Sequence, residues 1–492
     1  RLSKYKSKTQ IMNYLRQTGA ILTVLKLKAA RDMTEPLEQF LFPVIIAFCV
    51  VFLPNIEGGA DLLAIYLPWA FSGYVRQMFV DVVNDRKNKH REYFKINGLN
   101  RFSYYFAYFV SGTLRVAVIS SILCVGFIFS KGSQLPVDHL FVIFFILLLN
   151  GMTVTFASFA VSVFFEDPFI GSDIIGTIYS LMGFFYFVGT SFPGFGIKFV
   201  CGLLPPAGVT LSTMGTSGPA FGVWDGLLVL SVDFIIYFII FFLCDTLYGL
   251  ESEHTRRYWF SLCQKRQAAN ASHQELDESQ SLIEEDENSA PHYEAYNAAG
   301  TAKTVQVQGL KKSYGDIEII KGVSFSMYEK QIFCLLGHNG AGKTTTINVL
   351  TAFTDSNAGS IKYFGKDFKA YFNEIKDKIG VCPQTDLCFP FMSCEENLRM
   401  IANIRCVPKG QVDDEINDQL MRVGLVHDKH KLASQLSGGN RRKLSLAMAL
   451  LGGTQILYFD EPTSAMDPAS RRIIWSIIKE LKQQGKTIIL TT

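Results

Sequence analysis

The stretch Gly337-His-Asn-Gly-Ala-Gly-Lys-Thr-Thr345 decides the fold of the second part of this chain. An apolar run over 331–336 predicts a strand leading into the stretch, and a helix is expected to leave it from about Gly342. Glycines in such a turn let backbone N–H groups close around β- and γ-phosphates at the positive end of the helix. The pattern therefore predicts a site for a nucleoside triphosphate; the alternative is a chance glycine-rich turn.

Each residue type of this loop suits a part of that task. Lys343 is expected to reach the terminal phosphates, and the Thr344 hydroxyl to ligate Mg²⁺. The residues expected to contact the nucleotide are Gly337, Asn339, Gly340, Gly342, Lys343, Thr344 and Thr345. ATP and Mg²⁺ are thus the cofactors that the sequence predicts.

Length and composition divide the chain. With 492 residues it is too long for one hydrophobic core. The net charge of +3 gives no support to nucleic-acid binding, so we expect no nucleic-acid partner. Residues 36–250 are dominated by long apolar runs, whereas 301–492 have the mixed composition of a soluble α/β domain.

The apolar part predicts six membrane-spanning helices, because each of its runs is about 20 residues long and carries few charges. The predicted spans are 40–56, 62–82, 103–129, 140–164, 169–192 and 227–244. Residues 194–217, rich in Gly, Pro and Thr, are expected to form a partly re-entrant or interfacial segment.

Basic residues predict the orientation of these spans. Residues 1–31 carry eight Lys and Arg and 86–101 carry six, whereas the loops 55–61, 130–139 and 193–220 together carry only Lys131 and Lys198. The N-terminus, the 84–101 loop and the nucleotide domain are therefore expected in the cytosol. The sequence does not specify which membrane holds the protein.

Two polar features of this part have open interpretations. The segment 85–99 is either a basic flank that anchors the second span or a coupling helix that presses on the nucleotide domain. Arg115 and Asp233 lie inside predicted spans, where a charge costs ~2.5–3.5 kcal/mol on insertion scales. Each is either part of a substrate path or in a structural polar contact. Residues 264–300, with an acidic run at 284–287, are expected to form a solvated linker.

Further candidates follow along the soluble part. Ile456-Leu-Tyr-Phe-Asp460-Glu461 predicts a buried strand that ends in two carboxylates. Asp460 is expected to hold Mg²⁺, and Glu461 to accept a proton from the attacking water. Gln384, after another apolar strand, is a candidate contact for Mg²⁺ and that water. Tyr314 either stacks on the adenine base or packs within the domain.

With these motifs in order, residues 304–492 resemble the nucleotide-binding domain of an ABC transporter. Tyr314 matches the aromatic loop, 337–345 the Walker A loop and Gln384 the Q-loop. Leu-Ser-Gly-Gly-Asn at 436–440 matches the signature motif, Ile456–Glu461 matches Walker B, and Ser464-Ala-Met-Asp467 matches the D-loop. The stretches 436–453, 460–472 and 92–99, and a membrane domain that precedes the nucleotide domain, resemble the eukaryotic A subfamily, the lipid exporters.

The resemblance implies a multi-domain fold: an all-α membrane domain of six spans, of the type V exporter kind, followed by an α/β P-loop domain. The expected domains are a basic N-terminal segment 1–35, the membrane domain 36–250, a polar linker 251–303 and a C-terminally truncated nucleotide domain 304–492. Two departures stand out. Only about seven residues (55–61) join the first two spans, where the family usually has a large extracellular domain, and the family's switch His would follow Thr492.

The resemblance also implies how ATP is used. Ser437, Gly438 and Gly439 are expected to contact the γ-phosphate held by a second nucleotide domain, and Asp467 of the D-loop is a further candidate for nucleotide binding. The chain therefore needs a second ABC half, which is identical, different or a missing half of the same polypeptide. The implied function is an ATPase that exports or flops a lipid or another amphipath, with membrane lipids as partners. The alternatives are an exporter of another cargo, and a nucleotide-gated channel or regulatory subunit; intact Lys343, Asp460 and Glu461 argue against the latter.

Overall fold

The computed structural model describes residues 2–31, 34–52, 69–129, 137–182, 223–247, 302–314, 317–464 and 466–492, with a few single positions between them. The chain forms two compact units. The helical unit comprises 1–246 and 386–452, and the sheet unit comprises 247–385 and 453–492. The predicted linker 264–300, the loop 55–61, most of 194–217 and Ala465 lie outside the described residues.

Among the described residues, the first part of the helical unit contains eight helices. They are α1 (Leu2–Arg31), α2 (Thr34–Phe52), α3 (Trp69–Lys87), α4 (His90–Ile96), α5 (Arg101–Phe129), α6 (Val137–Ser162), α7 (Pro168–Met182) and α8 (Val223–Leu247). A helix lies at each of the six predicted spans. Among the described residues, three stretches are long and apolar enough to cross a membrane: Arg101–Phe129, Leu140–Ser162 and Trp224–Asp245. The six-span topology and its orientation stay predictions.

The polar segment 85–99 is not one helix. Lys89 has a φ of 57°, in the left-handed region, and separates the end of α3 from the seven-residue helix α4. The Asn97 side chain donates to the Tyr93 carbonyl at the other end of α4, and Gly98 follows with a φ of 102°. Because the left-handed region suits glycine, Gly98 lets the chain turn from α4 into α5.

The charges predicted inside the spans have different surroundings. Arg115 Nη1 lies 3.7 Å from Asp81, which also accepts a hydrogen bond from Lys28. Arg115 is therefore part of a structural charge cluster of α1, α3 and α5. Asp233 is fully buried, and neither of its carboxylate oxygens has a hydrogen-bond partner among the described residues.

The second part of the helical unit contains α11 (Cys394–Ile404), α12 (Val412–Arg422) and α13 (Gly438–Leu450). A capping box begins α11: the Glu396 N–H donates to Ser393 Oγ at 3.2 Å, and the Ser393 N–H donates to Glu396 at 2.8 Å. Such reciprocal bonds satisfy the free N–H groups of the first helical turn. They set the point at which α11 starts.

In the described part of the sheet unit, 302–385 and 453–492 with small gaps, there are eight strands and three helices. The strands are β1 (Lys303–Tyr314), β2 (Ile317–Tyr328), β3 (Ile332–Leu335), β4 (Ala358–Tyr363), β5 (Lys366–Asp367), β6 (Ile379–Cys382), β7 (Ile456–Phe459) and β8 (Thr487–Thr491). The helices are α9 (Lys343–Leu350), α10 (Phe372–Ile375) and α14 (Pro468–Gln483).

Two four-stranded sheets form from these strands, with orders β2-β1-β4-β5 and β3-β8-β7-β6. The first sheet is antiparallel and the second is parallel throughout its described pairs. Residues of β6, β7 and β8 are buried along their whole length, as expected for parallel strands covered on both faces. Parallel strands end at the same edge, which places the segments after β3, β6 and β7 side by side.

Candidate nucleotide-binding site

The loop between β3 and α9 has the geometry that the sequence predicts. Gly340 and Gly342 have φ values of 87° and 85°, which L side chains rarely adopt. A Cβ at Gly342 would lie 3.1 Å from the Ile319 side chain and 3.3 Å from its carbonyl oxygen, so both the backbone angle and the space favour glycine there. Asn339 and Gly340 are exposed, and Thr345 is half-buried in the first turn of α9.

Lys343 is the first residue of α9 and its side chain folds back over the loop. Its ammonium group donates to the Gly337 carbonyl and, at 3.3 Å, to the His338 carbonyl. The ammonium group therefore lies at the rim of the loop that Gly337 opens. This is the position from which it can meet a phosphate bound by the loop.

The two carboxylates after β7 are held by neighbouring strands. Asp460 is buried and its Oδ1 accepts hydrogen bonds from Thr344 at 3.2 Å and from Thr491 at 2.6 Å. The Thr491 hydroxyl also accepts the Glu461 N–H at 2.9 Å. Sequence reasoning missed Thr491; a hydroxyl at the end of an apolar strand is the signal that could have found it.

Glu461 has a φ of 48°, an unfavourable angle for a residue with a side chain. Its carboxylate accepts a hydrogen bond of 3.2 Å from the Gln384 amide, which follows β6. Strained backbone of this kind persists where the surroundings over-determine it, and such positions cluster at functional sites. The structure thus brings Thr344, Gln384, Asp460 and Glu461 together at one edge of the parallel sheet.

The remaining predicted residues have their own local roles. Tyr314 ends β1, and its ring lies 4.7 Å from the Lys312 ammonium group. Asp467 caps α14 by accepting the Ser470 N–H at 2.8 Å, and that bond lowers the pKa of the Asp467 carboxyl. Ser437 caps α13 in the same way, accepting the Asn440 N–H at 3.3 Å, and Gly438 and Gly439 form the first turn of that helix.

A metal site made of protein ligands alone is not present in the described part of the chain. No group of three or more His, Cys, Asp and Glu residues there could hold a metal ion. The Thr344 hydroxyl and the Asp460 carboxylate are hard oxygen ligands of the type that Mg²⁺ prefers, with too few members to hold the ion without further ligands.

Within the helical unit, residues 386–405 contact helix α4 of the segment 85–99 and helix α1. The His90 and Phe94 rings of α4 lie 4.6 Å and 5.9 Å from the Phe389 ring. Arg31 of α1 forms two hydrogen bonds to the Glu396 carboxylate, of 2.7 and 3.0 Å. Such a contact is what a coupling helix would make; the role of the segment 85–99 in passing movement to the spans stays a prediction.

Comparison with known proteins agrees with this architecture. The family model of the ABC-2 family transporter protein matches residues 3–243, and the family model of the ABC transporter matches residues 320–464. The chain therefore belongs to the ABC transporter family, with a helical membrane domain followed by an ATP-binding domain. The predicted resemblance is confirmed, and so is the predicted order of a helical membrane domain followed by an α/β ATP-binding domain.

The relatives of this chain include members of the A subfamily. It is 30% identical to the glucosylceramide transporter ABCA12 of Mus musculus, covering 87% of this chain and 18% of that protein. The cholesterol transporter ABCA5 of Rattus norvegicus is 27% identical, with 96% and 30% covered. ABC transporter A family member 2 of Dictyostelium discoideum is also 27% identical, with 88% and 27% covered. The chain spans less than a third of the length of these relatives.

Proposed function

We propose that this chain is part of an ATP-driven transporter that exports or flops a lipid or another amphipath. The observation that carries the proposal is the meeting of Thr344 with Asp460 and of Gln384 with Glu461, 3.2 Å in each case, at one edge of the parallel sheet. A hydroxyl and a carboxylate suited to Mg²⁺ stand there beside a carboxylate and an amide suited to an attacking water.

The residues present fit a bound Mg²⁺–ATP. The N–H groups of Gly340, Gly342 and their neighbours, with the Lys343 ammonium group, would hold the phosphates, and Thr344 and Asp460 would hold the ion. The metal neutralises charge on the phosphates when bound. Glu461 would take the proton of the attacking water, and the Gln384 amide would orient both. Tyr314 would stack on the adenine base.

A second nucleotide domain completes this scheme. Ser437 and Gly438 are exposed at the start of α13, and a helix N-terminus is a ready site for an anion. We place the γ-phosphate held by another ABC half at this position. The partner half is identical to this chain, different from it, or joined to it in a longer polypeptide.

One observation supports a lipid cargo: relatives that match most of this chain are named as transporters of glucosylceramide and of cholesterol. The proposed orientation places the N-terminus and the nucleotide domain in the cytosol, and α4 would pass the closing of the nucleotide domains to the spans.

The test is ATP-dependent movement of fluorescent lipids in proteoliposomes that contain the purified chain in its paired form. Accessibility of the probe to a membrane-impermeant quencher is measured with ATP and with a non-hydrolysable analogue. The expected result is that the lipids move when ATP is present and do not move with the non-hydrolysable analogue. Movement of a soluble sugar or peptide but of no lipid would overturn the lipid assignment, and nucleotide binding without turnover would replace the transporter by a regulatory subunit.

A further inference from the structure

An exposed ion pair lies on two helices at predicted membrane spans. Arg76 of α3 and Asp173 of α7 approach to 3.9 Å, and their side chains are 48% and 77% exposed. A charge inside a membrane is tolerated when it faces a partner or a water-filled cavity. Two exposed charges on one face of neighbouring helices therefore indicate a polar cavity or a charged ligand on that face.

Where α7 packs against α3, Gly176 of α7 lies directly against the Arg76 side chain. A Cβ at Gly176 would lie 2.3 Å from Arg76 Nε and 2.8 Å from its Cγ. Glycine at this position is what allows the arginine side chain to lie across α7 and reach Asp173 one turn away. The pair is therefore built into the helix contact, and both charges remain at the surface.

The distance between the two charged groups leaves both of them able to bind a ligand. At 3.9 Å the guanidinium and carboxylate groups are too far apart for a hydrogen bond. Within the described ranges, Asp173 is the ion-pair partner that Arg76 has, and each group keeps donors or acceptors for another molecule. The Thr177 hydroxyl, one turn along the same face, donates to the Asp173 backbone carbonyl.

The surface beside the pair is apolar. Ile170, Ile174, Ile178 and Leu181 of α7 are all exposed on the side of the helix that carries Asp173. Asp173 lies five residues after Pro168, about 8 Å along the helix axis from the end of α7. A positive and a negative group at this shallow depth, next to an apolar stripe, match a molecule with both charges on its head and hydrocarbon behind it.

We propose that Arg76 and Asp173 form a headgroup site for a zwitterionic phospholipid. The Arg76 guanidinium holds the phosphate in a charge-assisted, two-point contact, and the Asp173 carboxylate holds the ammonium group. The acyl chains lie along the isoleucine and leucine stripe of α7. This inference rests on the proposed lipid transport and names its substrate class.

The experiment compares three probes with the same fluorescent tail in proteoliposomes of the full chain: phosphatidylcholine, phosphatidylglycerol and diacylglycerol. Arg76→Gln should slow ATP-dependent movement of both phospholipids by about 5-fold and leave diacylglycerol unchanged. Asp173→Asn should slow phosphatidylcholine by about 5-fold relative to phosphatidylglycerol, because only the former carries the ammonium group. Arg76→Lys keeps the positive charge without the two-point contact, so it should slow phospholipid movement less than Arg76→Gln does, which separates loss of charge from loss of fold.

Lys87→Gln is the matched control. It removes an ion pair of the same 3.9 Å length, Lys87–Asp167, from the ends of the same two helices. Its ratio of phosphatidylcholine to phosphatidylglycerol movement should equal that of the wild type.

Several results would overturn the assignment. If the wild type moves lipids but the variants keep its headgroup ratios, the headgroup site is wrong and the proposed transport stands. Variants that instead lose association with the second half would make Arg76 and Asp173 an interface between halves. A wild type that moves none of the three probes overturns the proposed transport itself and, with it, the headgroup site.

Discussion

Arg405 donates a hydrogen bond from its Nε to the Asn97 side-chain oxygen 2.8 Å away, although the two residues are 308 positions apart. Beside them, the Gln17 side chain donates to the Gly98 carbonyl at 2.9 Å and to the Ile404 carbonyl at 3.0 Å. Helix α1 and the end of α4 are thereby joined to the end of α11. Three distant parts of the chain meet at one polar contact next to the predicted spans.

Arg405→Ala should reduce the transport obtained per ATP hydrolysed. A hydrogen bond from a charged group is worth roughly 1.5 kcal/mol, about tenfold in the equilibrium between engaged and disengaged forms. Lipid movement and phosphate release are measured in the same proteoliposomes. Arg399→Ala, which removes ion pairs to Glu395 and Asp413 from the same helix α11, should leave the ratio unchanged. Equal losses in both variants would assign the effect to general damage of α11.

Lys343→Ala should abolish photo-crosslinking to an ATP analogue, because the loop loses the one side-chain cation placed at its rim. The matched control is Lys366→Ala, a lysine of the same sheet unit that pairs with Glu374 at the surface. The control should label like the wild type. Unchanged labelling of Lys343→Ala would remove this lysine from the nucleotide site.

Glu461→Gln should bind ATP normally and hydrolyse it about 10²–10⁴ times more slowly, the usual contribution of a general base. The amide keeps the shape of the side chain and cannot accept the proton of water. Phosphate release and nucleotide affinity are measured on the paired protein, with the exposed Glu374→Gln as control. Turnover near the wild-type rate would assign the base to another group.

Tyr363→Phe should destabilise the sheet unit more than Tyr458→Phe. The Tyr363 hydroxyl donates to the Leu350 carbonyl at 2.6 Å and also contacts the Tyr458 hydroxyl, and both rings are fully buried. Its removal leaves two buried groups unpaired, at a cost of about 1–3 kcal/mol. Removal of the Tyr458 hydroxyl leaves the Leu350 bond in place. Thermal unfolding of both variants gives the order; the reverse order would contradict this network.

Glu92→Gln should stabilise the protein at neutral pH. Burial raises the pKa of the Glu92 carboxyl above its usual value of 4.5, and its Oε2 has no hydrogen-bond partner among the described residues. The folded protein then binds the proton more tightly than the unfolded chain, so the ionised group lowers stability as pH rises through the folded pKa. The increase in the free energy of unfolding caused by Glu92→Gln should be largest at pH 7 and should vanish below about pH 4.5. A gain that does not change with pH would exclude titration of Glu92 as its cause.

The Arg31–Glu396 pair should give a pH dependence of stability opposite to that of Glu92. Burial tends to raise the pKa of Glu396, but hydrogen bonds from Arg31 and from the Ser393 N–H outweigh it and the pKa falls below its usual value. The contribution of this pair is therefore present at neutral pH and is lost as pH falls below the usual carboxyl range. Comparing Arg31→Ala with the wild type by thermal unfolding should show a difference at pH 7 that narrows in acid. An equal difference at both pH values would contradict it.

Local patterns predicted most of the sheet unit's site, because the phosphate loop and the Asp460-Glu461 strand end each act over a few consecutive residues. The break at Lys89 was not predicted, since the polar composition of 85–99 is compatible with one continuous helix. The partners of the charges inside the predicted spans could not be predicted either. Asp81 contacts Arg115 only because α3 and α5 pack together, and the spacing of residues along the chain does not indicate that contact.

The family and the order of the two domains follow from the sequence alone, and so does the prediction of which residues would bind and hydrolyse a nucleotide. Both kinds of inference depend on residue types at short spacing, which can be read from the sequence without knowledge of the packing. The tertiary structure was needed to show that the Thr491 hydroxyl donates to the Asp460 carboxylate and accepts the Glu461 N–H, and that Arg405 donates to Asn97. It was also needed to show that Arg76 lies against Gly176 beside Asp173. Such contacts join residues far apart in the chain, and they arise from how helices and strands pack.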